Sequence, residues 1–183
     1  MALTYTPDNS LGQALPDFTL PTVDGKTWSS QSIHSAPVKV IVFMCNHCPY
    51  IKAIENRLIQ AAKELKAKGV PFIGICSNDS DEYPEDHPNE LLKSWREKNY
   101  NFPYLVDETQ AIAKAFDAVC TPDFFVFDNQ NKLRYRGRLD DSWKDESKVT
   151  QHELMDAVDA LLNNKEPSLE QRPSMGCSIK WKN

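Results

Sequence analysis

The stretch Cys45-Asn46-His47-Cys48 lies between an apolar run, Val38-Lys39-Val40-Ile41-Val42-Phe43-Met44, and a segment with helical spacing. Ile51, Ile54, Leu58, Ala62 and Leu65 recur at that spacing, and Gly69 ends the pattern. Pro49 stands in the first turn, where a missing N–H costs little. A buried strand must therefore run almost directly into a helix, with two thiols at the joint. The helix N-terminus offers unpaired N–H groups and the positive end of the macrodipole. A cysteine there ionises more easily, and the thiolate is the nucleophile. The expected chemistry is reversible disulfide exchange; the alternatives are two core cysteines or half of a zinc site.

The rest of the chain alternates strands and helices. Residues 15–20 form a short extended segment, Asp24-Gly25 a turn, and Lys26-Thr27-Trp28 its hairpin partner. The strand of residues 38–44 is apolar apart from Lys39, which places it centrally in a sheet. Residues 70–77 predict a second buried strand, residues 78–87 an acidic loop, and residues 88–99 a helix with Leu91, Leu92 and Trp95 on one side. A short strand follows at residues 102–106. Asp107 and Gln110 have capping-box spacing before Ile112, Ala113 and Phe116. Residues 124–127 and 132–139 read as a hairpin around Asp128-Asn129-Gln130-Asn131, and Leu154, Val158, Leu161 and Leu162 as a last amphipathic helix. A tail occupies residues 166–183.

With 183 residues, one domain over residues 1–183 is expected. A net charge of −5 gives no reason to expect a nucleic-acid partner. No apolar stretch is long enough to span a membrane, and residues 1–8 lack the basic and apolar regions of a secretory signal. The five cysteines, an odd number, suit a reducing, cytoplasmic compartment rather than a disulfide framework.

The order of elements suggests an α/β sandwich with a mixed sheet. Four segments then resemble the redoxins of the alkyl hydroperoxide reductase/thiol-specific antioxidant (AhpC/TSA) superfamily. They are residues 12–20 with Asp24-Gly25-Lys26, the Cys45–Cys48 pair, Phe102-Pro103-Tyr104-Leu105-Val106-Asp107, and residues 121–128 beginning Thr121-Pro122. Cys-Asn-His-Cys-Pro-Tyr and the closing Gly-Cys-Ser-Ile-Lys-Trp are similar to a subgroup called simply thioredoxin-family proteins. The resemblance implies a thioredoxin-like three-layer sandwich, a central mixed sheet flanked by helices, with an N-terminal redoxin extension and a C-terminal tail docked on the domain. It implies a thiol–disulfide oxidoreductase without a cofactor, acting on protein or small-molecule disulfides and recharged by a donor of the thioredoxin or glutathione type. Cys45 would be the exposed attacking thiolate, Cys48 the resolving thiol, and His47 a neighbour that lowers the Cys45 pKa. Pro122 would be a cis-proline facing the pair, with Thr121 offering backbone groups to substrate.

Some residues depart from that pattern. Met44 stands where thioredoxins usually carry an aromatic residue, and Lys39 roughly where they carry a buried acid beneath the dithiol. Peroxiredoxins place threonine or serine three residues before the peroxidatic cysteine; if Cys48 is that cysteine, Cys45 fills the threonine position, which weighs against the alternative of a thiol peroxidase. Arg136 or Arg138 could polarise a peroxide, or be solvated strand arginines. Cys120 and Cys177 are additional candidate redox thiols, with packing as their alternative, and Cys76 reads as a packed strand cysteine. Cys177, Ile179 and Trp181 share one side of an extended tail, which predicts docking. A copper- or zinc-binding protein is the second alternative: Cys45, His47, Cys48 and Cys120 could supply soft ligands, with His34, His87 or His152 as a distant histidine. One cysteine pair does not complete a structural zinc site.

Overall fold

A computed structural model describes residues 3–7 and 11–182 of the chain. Its centre is strand β4 (Lys39–Phe43), buried along its whole length. The other strands, in chain order, are β1 (Leu3–Tyr5), β2 (Thr19–Pro21), β3 (Thr27–Ser29), β5 (Phe72–Cys76), β6 (Tyr104–Val106), β7 (Cys120–Thr121), β8 (Asp123–Phe127), β9 (Leu133–Gly137) and β10 (Met175–Ser178). Five of them make a mixed sheet of order β6-β5-β4-β8-β9, with β4, β5 and β6 parallel and β8 and β9 antiparallel. β2 and β3 pair as the expected hairpin. The described residues hold four α-helices: α1 (Pro49–Ala67), α2 (Pro88–Glu97), α3 (Ala111–Ala115) and α4 (Glu153–Leu162).

The two faces of the sheet follow from the period of two along β4. Val40 and Val42 join a core with Ile54 and Leu58 of α1 and Leu154 and Val158 of α4. Ile41 and Phe43 join a second core with Phe18 of the N-terminal segment and Phe116 after α3. This is the three-layer α/β arrangement that the sequence predicts. No helix among the described residues is long and apolar enough to cross a membrane.

Three local expectations are corrected. Lys39 lies at the start of β4, away from the cysteines. Its Nζ donates to the Asp128 carbonyl at 2.5 Å and to Asn131 Oδ1 at 2.6 Å, so it closes the β8–β9 turn, and burial lowers its pKa. The capping box at α3 does not form. Gln110 adopts φ +62, and its Nε2 donates to the carbonyls of Ser77 and Lys180, while Asp107 Oδ2 accepts from Ala113 N. Arg136 is not solvated, and Arg138, about a third exposed at 34%, is engaged. Arg136 is buried on Asp123, and Arg138 makes a bidentate contact with Glu153.

The termini build a second small sheet, of order β1-β10-β7. Cys177 faces Leu3 on one side and Thr121 on the other. Cys177 and Ile179 are buried, but Trp181 is 40% exposed, with Lys114 Nζ 5.7 Å from its ring centre. The alternation fails there because β10 ends at Ser178, and the Lys180 backbone is taken by Asn78, Asp79 and Gln110.

Candidate active site

β4 ends at Phe43, and after a four-residue link Cys48 is the N-cap of the 19-residue helix α1, with Pro49 at its first position. The linking segment is tied down at its first residue, Met44. Met44 N donates to the Ile75 carbonyl at 2.9 Å, and the Met44 carbonyl accepts from the Tyr104 hydroxyl at 3.3 Å. Asp86, in a short 3-10 turn of the acidic loop, holds the middle. One of its oxygens accepts from Asn46 N at 2.7 Å and His47 N at 3.3 Å; the other accepts from Asn78 Nδ2 at 2.8 Å and His47 Nδ1 at 2.5 Å. Burial acts to raise the Asp86 pKa, but the hydrogen bonds from His47 and Asn78 outweigh it and hold the carboxyl below its ordinary value. Asp86 was missed in the sequence because it sits in a run of acidic loop residues that reads as solvated.

His47 is pinned rather than solvated. Its side chain is 10% exposed, and its ring stacks on Tyr83 with centres 5.1 Å apart. A carboxylate only accepts, so Nδ1 carries the proton that meets Asp86. The same nitrogen lies 3.8 Å from Cys45 Sγ. Opposite stands the Thr121–Pro122 peptide, which is cis. Thr121 Oγ1 is 3.5 Å from Cys45 Sγ, and its carbonyl is 3.1 Å from Cys48 Sγ.

Cys45 is not the exposed thiol of the expectation. Cys45 is 1% exposed and Cys48 is fully buried. Burial raises the Cys45 pKa well above the ordinary thiol range, helped by the neighbouring Cys48 thiol and the Asp86 charge. The Cys48 pKa is lowered. The largest cause is the neighbouring Cys45 thiol; burial opposes it, and Thr121 and the backbone at Ile51 and Cys177 add to it. The helix dipole works in the same direction, since Cys48, not Cys45, sits at the N-cap. The Thr121 carbonyl, an acceptor 3.1 Å from Cys48 Sγ, works the other way and favours the protonated form.

The other cysteines separate into two kinds. Cys120 is fully buried, with Thr6 Oγ1 at 3.9 Å and the Pro122 carbonyl at 3.8 Å, and burial raises its pKa. The strand alternation turns it away from the face that Thr121 presents to the pair. Cys76 is buried in β5, and burial raises its pKa too. Cys177, by contrast, is brought towards Cys48: it is the register partner of Thr121, whose carbonyl lies 3.1 Å from Cys48 Sγ, and both cysteines belong to the same buried cluster.

The proposed metal ligands do not assemble as expected. His34 faces Asp17 at 3.3 Å, His87 caps α2 by accepting from Asn89 N, and His152 precedes α4. Among the described residues, one group of ligand types is compact: atoms of Cys45, His47 and Asp86 lie within 4.8 Å of one another. Both Asp86 oxygens and His47 Nδ1 are already engaged with protons there, so an ion would have to displace a closed hydrogen-bond set.

Gly176 sets the fit of β10 on the cis-proline segment. A Cβ on it would lie 1.9 Å from the Thr121 carbonyl oxygen and 2.6 Å from its carbon, both backbone atoms that cannot rotate away. Gly176→Ala must lift β10 from β7, at a cost of about 1–3 kcal/mol. Alkylation of Cys48 by iodoacetamide should then be roughly 5- to 100-fold faster than in the parent, since each 1.4 kcal/mol is tenfold. An unchanged rate would mean that β10 does not guard the thiol.

The chain is similar to an uncharacterised conserved protein from Geobacillus kaustophilus, at 44% identity over 100% of this chain and 97% of that one, with a TM-score of 0.94. It is also similar to a hypothetical protein from Sinorhizobium meliloti 1021, at 36% identity over 98% of both chains, with a TM-score of 0.93. A secreted Mycobacterium tuberculosis disulfide oxidoreductase homologous to Escherichia coli DsbE shares the fold, at 22% identity over 63% of this chain and 79% of that one, with a TM-score of 0.54. No curated protein matches the chain. The AhpC/TSA family profile matches residues 11–136, more than half of the sequence, and covers both the cysteine pair and the Thr121–Pro122 segment. The chain belongs to the AhpC/TSA family of redoxins and has its thioredoxin-like fold.

Proposed function

We propose that this redoxin is a thiol–disulfide oxidoreductase in which Cys48 attacks and Cys45 resolves, the reverse of the order expected from the motif. The observation that carries the assignment is the position of Cys48: it is the N-cap of α1, at the positive end of the helix dipole, and it faces the cis Thr121–Pro122 bond, with the Thr121 carbonyl 3.1 Å from its Sγ. In the reducing direction, the Cys48 thiolate attacks a substrate disulfide and expels one substrate thiolate. Cys45 then gives up its proton and attacks the Cys48 sulfur, and the second substrate sulfur leaves with that proton. Two electrons pass from the pair to the substrate. A dithiol donor of the thioredoxin or glutathione class would restore the pair, and the reverse sequence would oxidise a dithiol substrate.

His47 and Asp86 act on the second step. The Nδ1–H of His47 is donated to Asp86, and the same nitrogen lies 3.8 Å from Cys45 Sγ, so the ring holds the linking segment and sits beside the sulfur where charge appears when Cys45 ionises. His47→Ala should slow formation of the Cys45–Cys48 disulfide by about tenfold, the value of a charge-assisted hydrogen bond of roughly 1.5 kcal/mol. Initial alkylation of Cys48 should change by no more than about twofold. Rapid quenching followed by peptide mass spectrometry separates the two steps, and equal slowing of both would remove the assigned role.

A second reading, peroxide reduction, is favoured by the shielding of the sulfurs, neither more than 1% exposed, since a small oxidant needs less room than a disulfide. Parallel steady-state assays with a small disulfide and with hydrogen peroxide decide between them. Faster turnover of the disulfide supports the oxidoreductase. Rapid oxidation of Cys48 by peroxide that survives Cys45→Ser would make the protein a peroxidase.

A further inference from the structure

Resting on Cys48 as the attacking thiol, we propose that Cys177 is a second resolving thiol, which competes with Cys45 for the mixed disulfide on Cys48. The C-terminal strand places it for this. In β10, Cys177 is the register partner of Thr121, the residue whose carbonyl lies 3.1 Å from Cys48 Sγ. Cys177, Cys48 and Cys45 belong to one buried cluster, and the nearness of Cys48 helps to raise the Cys177 pKa. Cys48 therefore has a thiol on each side: Cys45 from its own linking segment, and Cys177 from a strand more than a hundred residues away in sequence.

The tail that carries Cys177 is fixed rather than loosely laid on the surface. Ile179 N donates to the Val119 carbonyl at 2.9 Å, Lys180 N to Asn78 Oδ1 at 2.9 Å, and Lys182 N to Gln110 Oε1 at 2.8 Å. Asn78 also donates to Asp86, so the tail and the His47 support share a residue. A cysteine held this firmly next to a nucleophilic sulfur has little entropy to lose in forming a bond to it.

The chemistry supplies an order of events. In the resting protein, Cys177 is kept protonated first by burial, then by the nearness of Cys48 and the charge on that sulfur. Attack on a substrate disulfide converts the Cys48 sulfur to a neutral mixed disulfide, which removes that charge. Cys177 can then lose its proton and attack the Cys48 sulfur. The bond between Cys48 and the substrate sulfur breaks, a Cys48–Cys177 disulfide forms, and the substrate thiolate leaves with the proton. The two electrons come from Cys48 and Cys177, so no further oxidant is required.

The test uses hydroxyethyl disulfide as the probe on full-length Cys45→Ser and on Cys45→Ser/Cys177→Ser, read by intact mass and peptide mapping against time. Both variants should gain the mercaptoethanol adduct on Cys48. In Cys45→Ser the adduct should decay to a Cys48–Cys177 disulfide, and in the double variant it should persist at least about tenfold longer. Equal persistence in the two variants would overturn the role of Cys177. Absence of an adduct on Cys48 in both would overturn the attacking role of Cys48 and this proposal with it.

Discussion

Cys48→Ser is expected to abolish disulfide turnover, lowering it by at least about 10³-fold, because removing a nucleophile leaves only the binding contribution of the site. Cys45→Ser should retain the first step: the substrate adduct still forms on Cys48, and only its resolution through Cys45 is lost. The asymmetry follows from the local structure. Cys48 is the N-cap of α1, where the helix dipole favours a thiolate, whereas burial and the Asp86 charge favour the protonated form of Cys45. Mass spectrometry of the two variants after exposure to a small disulfide reads the result. An adduct on Cys45 in Cys48→Ser, with none on Cys48 in Cys45→Ser, would restore the order expected from the motif.

Arg136→Ala should destabilise the fold by about 3–5 kcal/mol, the cost of leaving one partner of a buried ion pair alone. The Arg136 and Asp123 side chains are both fully buried, and Nη2 is 3.0 Å from Asp123 Oδ2. Arg136 also donates to the Asp117 carbonyl at 2.6 Å and lies over the Phe125 ring. Asp123 follows Pro122 directly, so the pair braces the cis-proline segment from behind. At about 2–4 °C per kcal/mol for a chain of this size, the midpoint of thermal unfolding should fall by roughly 6–20 °C.

The loss should also depend on pH. Burial already raises the Asp123 pKa to about 6, against the attraction of Arg136. A carboxyl with a raised folded pKa binds its proton more tightly when folded, so its contribution to stability grows as pH falls from about 6 towards its unfolded value near 4. Without Arg136 that pKa rises further, and the window reaches neutral pH. The deficit of Arg136→Ala relative to the parent should therefore be smaller at pH 5 than at pH 7 in urea unfolding. An equal deficit at both pH values would mean that the lost packing on Phe125, not the stranded carboxylate, dominates.

The central sheet was legible because its strands are long enough to show their pattern. β4 and β5 are buried along their length, and the α1 stripe at Ile51, Ile54, Leu58 and Leu65 matches a single helix face. The small sheet β1-β10-β7 was not, because its strands span two to four residues and pair across most of the chain. No local period can signal such pairs. Asp86 was hidden for a related reason: its neighbours in sequence are exposed loop residues, while its four donors come from Asn46, His47 and Asn78. The proposed order of the two thiols has a sequence signal of its own. Pro49 suits the first helical position, which makes Cys48 the cap and leaves Cys45 in the linker. The motif spacing alone, which is symmetrical between the two cysteines, concealed it.

The account is tested most directly by equilibrating the protein in glutathione buffers of graded potential and mapping its disulfides at each point. It predicts a single two-electron couple in which Cys48 is joined chiefly to Cys45, with a midpoint between about −270 and −120 mV, the span of thioredoxin-fold oxidoreductases. Cys45 and Cys48 that remain unpaired across that range, or a disulfide that excludes Cys48, would contradict it.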